Sequence, residues 1–434
     1  MGNVYNKTNV LFFKRSNKKV IYLIMGPFGL FILFRIILPL IWCFDFLINN
    51  SINVSHYTIV LLHTFYLFVE GFLIIHLMIY TINLTRRYRK YRQNNSAYII
   101  QKDNEGNRYA LIAFFGVVFF FLLNFNTLPI FMKGGSDAIV ALGEVQKTKT
   151  WFMYGILGIF TTMLLFSIFY IKSYLKKYFY GFILLLVSLV TGKKSALISY
   201  LSKFIFVYFL INNKKPSLPL IKIGIGLILS IFFIVYQFAR TSGIDFNLLE
   251  VFSIFFNLVY SSSTVYLSQF ITMNGIEYAQ MYSDSLGDFG SIIYILNPFL
   301  KFLFGIGIYK APGPFLGEVL FGYTFPNGVN PTLFFEPIFV FGNYLAIFFS
   351  FVNLLIVIML AKYFIKKIIF NINKSLLLTI SFFGLFLSCL SFTNDTLNTI
   401  RNLPFVLLPM IWFYFLKFLA KISKRSKYAR IYTQ

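Results

Sequence analysis

Long apolar runs alternate with short polar connections along most of this chain. Runs long enough to reach across about 30 Å of hydrocarbon fall at 20–44, 57–84, 109–131, 151–171, 178–190, 196–211, 223–238, 333–361, 375–392 and 403–416. Each predicts a helix, because a backbone in lipid must satisfy its own hydrogen bonds. The pattern therefore predicts an all-α polytopic membrane protein with ten spans. Seven crowd into a bundle over 1–238, and three form a second bundle over 333–434 that ends in a basic tail. The longest connection, 239–332, separates them. It holds two further apolar stretches, 246–260 and 290–308. As surface or re-entrant helices they leave ten spans; as a further pair of crossings they make twelve, with the same sidedness elsewhere.

Composition sharpens the class. Of 434 residues 58% are hydrophobic and 12% charged, about half the charged share of a soluble domain. Disorder needs the opposite balance. Cys43 and Cys389 both lie inside apolar runs, which excludes a disulfide scaffold.

The net charge of +25 would suit a nucleic-acid binder, but its distribution does not. Segments 1–19, 85–108, 172–177, 212–222, 362–374 and 417–434 hold 28 of the 39 Lys and Arg. These are alternate connections and include both ends of the chain, so the positive-inside rule places both termini in the cytoplasm. Eleven of the 14 acidic residues fall on the opposite, outer side. The charge thus reads as topology and lipid contact, with no nucleic-acid partner. The polar, basic first nineteen residues followed by a full-length apolar run read as a retained signal anchor.

The outer side carries the candidate chemistry. Runs 178–190 and 196–211 are only about 20–24 Å long as helices. They meet at TGKKS (191–195). Short spans place their junction below the membrane surface, so Lys193 and Lys194 are candidates for an anion site; the plainer reading is that they snorkel to headgroups. Arg240, just past the seventh run, could clamp phosphate oxygens bidentately or act as an interfacial anchor. Glu336, in NPTLFFEPIFVFGN (330–343), is the candidate general base at the outer mouth of the eighth span, where partial desolvation raises a carboxylate pKa. A favourable helix dipole is its bland explanation. Asp284 and Asp288 share a face if their stretch is helical; solvated loop acids are the simpler reading. Asp395 and Arg401, in the last outer loop, are candidates for the same pocket.

Other chemistry lacks its motifs. His56, His63 and His76 show no metal-ligand spacing. The chain has no P-loop, dinucleotide-binding glycine pattern or nucleophile elbow, and no Asp-x-Asp pair. Neither metal nor cofactor is expected.

The order of features resembles the bacterial O-antigen or oligosaccharide repeat-unit polymerases, with O-antigen ligases as distant kin. It rests on the outer basic turn TGKKSAL (191–197), Arg240 after the next span, and one long outer loop running from NPFLKF (297–302) into NPT…E…FG (330–342). In such proteins the basic turn is often Ser-Arg-Gly-like, and a glycine often follows the FG pair where Asn343 stands here. The resemblance covers roughly 150–400 and implies a glycosyltransferase in the bacterial inner membrane. It would join undecaprenyl-diphosphate-linked oligosaccharide units into lipopolysaccharide or capsule polysaccharide at the outer leaflet, with inversion and without metal. It also implies a separate chain-length regulator as partner. The rival expectation is a flippase for the same lipid-linked unit, which would show internal pseudosymmetry and more polar residues inside the helices. Within the runs the ionisable groups are essentially Arg35, Glu70 and Lys203.

Overall fold

The computed structural model describes residues 26–49, 54–92, 98–123, 151–190, 194–211, 217–241, 275–287, 296, 315, 333–372, 374–392 and 396–431. Among these the protein is almost entirely helical, with no strand. Helix α1 is continuous through Pro27–Phe31, a π-helical turn Ile32–Ile37, and Leu38–Asn49. Then follow α2 (Val54–Arg92), α3 (Tyr98–Leu123), α4 (Trp151–Tyr170), α5 (Tyr174–Val190), α6 (Lys194–Ile211) and α7 (Leu218–Thr241). A short amphipathic helix, α8 (Gly275–Leu286), precedes the six-residue α9 (Glu336–Phe341), and α10 (Ile347–Asn371), α11 (Leu376–Phe392) and α12 (Thr396–Ile431) complete the chain.

Three helical stretches, His56–Tyr88, Asp103–Leu123 and Tyr344–Asn371, are long and apolar enough to cross a membrane; four shorter helices are apolar. Large apolar side chains also face outward. Phe72, Leu122, Leu345, Phe348 and Met359 are all strongly exposed, as expected where the surrounding solvent is lipid rather than water. Buried threonine hydroxyls are satisfied within their own helices: Thr64, Thr81, Thr85 and Thr379 each donate to the carbonyl four residues earlier.

The core is aromatic. Phe28 of α1, Phe166 of α4, Phe206 of α6 and Phe383 and Phe386 of α11 form a knot with ring centroids 5.0–5.9 Å apart. One apolar cluster runs through helices of both 1–238 and 333–434. The main helix–helix packings are α3 on α4, α10 on α11, α11 on α12, and α2 on α10.

The connections 85–108, 172–177 and 362–374 converge on one end of the bundle, here called the basic end. Asp103 Oδ1 accepts from the Lys172 backbone N–H at 2.8 Å, and Glu105 Oε1 from that of Leu376 at 2.9 Å. Tyr88 and Tyr170 donate their hydroxyls to the Phe370 and Ile372 carbonyls. Gly106 permits the close approach of α3 to α4, because a Cβ there would lie 2.9 Å from Tyr170 Cβ.

Helix bounds depart from the apolar runs in a consistent way. The second and tenth runs lie inside longer helices, α2 and α12, and α3 begins ahead of the third run, at Tyr98; all three extend into polar sequence. The eighth run, 333–361, is not one span. It breaks after Phe341 at Gly342, which caps α9 in the left-handed conformation (φ 66°), and the chain passes through a 3₁₀ turn, Tyr344–Ala346, before α10 begins. Only glycine enters that conformation without steric cost.

Candidate functional site

Glu336 opens α9 and is buried, 5% exposed, at the end of the bundle away from the basic one. Its neighbours along the chain are apolar: Phe334, Phe335, Ile338 and Phe339 are fully enclosed. Pro337 follows Glu336 at the start of the helix, where a missing N–H costs nothing. The turn before α9 is clamped by Ser350 of α10, whose hydroxyl donates to the Phe334 carbonyl at 2.7 Å.

Helix α8 forms another wall. Its buried face, Gly275, Ala279, Tyr282 and Leu286, repeats at helical spacing. The Tyr282 ring meets Phe339 edge-on at 5.9 Å and Phe315 at 5.2 Å. Ser283 donates to the Val340 carbonyl at 3.3 Å, and a Cβ on Gly342 would come within 3.3 Å of Ser283 Cβ. So α8 and α9 are held in close register. Burial, and next the Glu336 charge, push the Tyr282 pKa far above the usual phenol range. Tyr282 therefore stays protonated beside the carboxylate. The pair can accept a proton at Glu336 and present a neutral hydroxyl from Tyr282, in a region from which water is largely excluded.

The other sequence candidates fall as follows. The courses of α5, α6, α7 and α12 bring Lys194 (first residue of α6), Arg240 (last turn of α7) and Arg401 (second turn of α12) to the same end as Glu336. Asp284 lies on the exposed side of α8, turned away from the face that carries Tyr282. That helix ends at Leu286, and Gly287 has φ 70°. Lys193, Asp288 and Asp395 lie outside the described residues, as do 246–260 and, apart from Leu296, the stretch 290–308. Among the described residues no three His, Cys, Asp or Glu side chains converge to hold a metal ion.

Tyr282, Ser350 and Gly342 were not legible as site residues from sequence. The spacing of Ala279, Tyr282 and Leu286 did carry a signal for Tyr282, and the Gly342–Asn343 pair carried one for the break in the eighth run. No family model, no curated protein and no solved structure matches this chain.

Proposed function

We propose that the protein is a membrane glycosyltransferase that polymerises lipid-linked oligosaccharide repeat units, and that Glu336 is its general base. The observation that carries this reading is the enclosed Glu336–Tyr282 pair, at the bundle end where the helices bearing Lys194, Arg240 and Arg401 start or finish. In the full reading the chain crosses a bacterial cytoplasmic membrane ten or twelve times, both termini are cytoplasmic, and this end faces outward. The bias of Lys and Arg toward alternate connections supports that orientation.

The reaction balances without a metal. Glu336 takes the proton of the acceptor hydroxyl, whose oxygen forms the new bond to the anomeric carbon of the donor sugar. The bond from that carbon to the diphosphate breaks on the opposite face, so configuration inverts, and undecaprenyl diphosphate leaves with the electron pair. Negative charge grows on phosphate oxygens, which Arg240 with Lys193 or Lys194 stabilises. Lipid-borne substrates also fit an outer loop whose stretches 246–260 and 290–308 are apolar.

The test is the surface-glycan ladder of a deletion strain beside a complemented one. Collapse to a single repeat unit is expected, since units are still made and moved but not joined. Complete loss of repeat-bearing material, with lipid-linked units accumulating inside, would assign the flippase reading instead. An unchanged ladder would exclude both. Arg240→Ala is expected to abolish extension while the protein stays in the membrane.

A further inference from the structure

The last helix outruns the bundle that supports it. Gly384 of α11 lies against Val406 of α12, where an added Cβ would come within 2.6 Å of Val406 Cγ1. The two helices are joined by the short connection 393–395 and pack together, so they run in opposite directions. Both rise equally per residue, so Leu376, eight residues before Gly384, lies level with Tyr414, eight after Val406. Leu376 is the first residue of α11, and α12 continues to Ile431. The stretch 415–431, about 25 Å of helix, therefore runs on past the start of α11.

This overrun has two faces. Phe415, Phe418, Leu419 and Ile422 recur at the spacing of one helix face, and all four are 44–59% exposed. Lys417 and Lys421, also exposed, fall on the other side. Lys424, Arg425, Lys427 and Arg430 follow, and no acidic residue occurs after Asp395. Neighbouring helices show the depth at which the overrun begins. Around the hydrogen bond from Tyr88 to the Phe370 carbonyl, α2 carries Arg86 and Arg87 and α10 carries Lys366 and Lys367. The Lys374 ammonium lies 3.5 Å from the centre of the Phe370 ring. Basic residues with aromatic neighbours collect at headgroup level. The apolar face of the overrun thus begins where the other helices have turned basic. A second copy of the same stretch suits it poorly, since its lysines and arginines would meet their own kind with no acid to pair them.

We propose that 415–431 is an interfacial helix that docks on anionic phospholipid headgroups of the leaflet at the basic end. Its Phe415, Phe418, Leu419 and Ile422 face enters the acyl boundary, and its lysines meet phosphate oxygens. Pro404 and Pro409 remove backbone hydrogen bonds from α12 shortly before the overrun, where a helix turns at least cost. The docked stretch tethers the last helix to the leaflet. Glu336 takes no part, so this proposal stands or falls apart from the transferase reading.

The full-length protein is reconstituted into vesicles of phosphatidylcholine, alone or with an equal part of phosphatidylglycerol. Both leaflets then match, whichever way the protein inserts. Native Cys43 and Cys389 are buried, so a polarity-sensitive fluorophore is attached at Phe418→Cys or at Lys421→Cys. Quenching by lipids spin-labelled on the acyl chain is expected at position 418 in the anionic vesicles, several-fold above that in phosphatidylcholine alone. Position 421 is expected to show little. High salt, which shortens the Debye length from about 10 Å to about 3 Å, is expected to relieve the quenching. Lys417→Glu with Lys424→Glu, in the Phe418→Cys background, is expected to weaken docking by about tenfold or more, since each basic residue near an anionic surface contributes.

Quenching at 418 that is equal in both vesicles and indifferent to salt would overturn the proposal and make the stretch part of a span. Equal quenching at 418 and 421 would overturn it too. Energy transfer between labelled molecules without lipid quenching would replace the leaflet by a second copy. A probe that reports water in both vesicles would leave the face undocked and likewise overturn it.

Discussion

The two ends of this bundle use carboxylates in opposite ways. At the basic end, Asp103 accepts the Lys172 N–H in the connection between α4 and α5, and Glu105 the N–H of Leu376, the first residue of α11. Two tyrosine hydroxyls there tie carbonyls near the end of α10. These groups satisfy backbone donors and acceptors of helix ends and of the connection between α4 and α5. At the far end, Glu336 sits among phenylalanines on a helix of six residues, beside a tyrosine held in its protonated form. An acid that caps a helix is explained by the fold. An acid enclosed among phenylalanines beside a protonated tyrosine sits in the kind of environment that marks functional positions. The comparison shows why the number of acids on a face says little about chemistry: what matters is the surroundings in which each is held.

The strongest way to break this contrast is to neutralise both kinds of acid. Glu336→Gln is expected to lower glycan extension by about 10²–10⁴-fold, the range for losing a general base, with unchanged membrane abundance on immunoblots. Comparable extension by the variant would remove Glu336 from the mechanism. Next in size, Gly342→Ala forces a side chain into the left-handed conformation (φ 66°) against Ser283, at about 1–2 kcal/mol. If that strain distorts the turn that carries Glu336, extension drops about tenfold, readable as a shortened ladder.

Glu105→Gln should behave in the reverse manner. It weakens a charge-assisted cap on α11, costing about 1–2 kcal/mol, and so lowers the thermal unfolding midpoint in detergent while extension at permissive temperature persists. A variant that unfolds normally but fails to extend would erase the distinction between the two ends. The smallest effect is expected for Asp284→Asn. Its side chain is exposed on the side of α8 away from Tyr282, and extension should stay within about twofold, because surface changes of this kind rarely matter. A large loss would move the base from Glu336 to the loop acids.

Helix positions followed closely from the apolar runs, and the departures have physical causes. The second, third and tenth runs stop where Lys, Arg, Gln and Asn begin, yet α2, α3 and α12 continue through them. Hydropathy measures what lipid tolerates, whereas Arg, Lys and Gln are good helix formers in any solvent. The eighth run failed in the other direction. It is apolar throughout, so it reads as a single span, but Gly342 and Asn343 stop the helix by backbone conformation and a side-chain cap, the Asn343 Oδ1 accepting from the Ala346 N–H at 3.1 Å.

For the site, Glu336 was legible because it is one of few acids next to an apolar run, and Lys194 and Arg240 because basic residues are sparse on that side. The setting of Arg35 was not. It stood out as an ionisable group within an apolar run, but the π-helical turn that carries it leaves no mark in composition or spacing.

By itself, then, the sequence determined the largely helical, apolar class of protein, the approximate place of most of the long helices and the uneven distribution of charge, because these follow from local hydropathy and from how each stretch meets its solvent. The tertiary structure alone decided that Asp103 and Glu105 accept backbone N–H groups at the basic end, that Tyr282 lies beside Glu336, and that the eighth run breaks at Gly342 against α8. Those outcomes depend on which faces of distant helices come together, and no local pattern of residues encodes that choice.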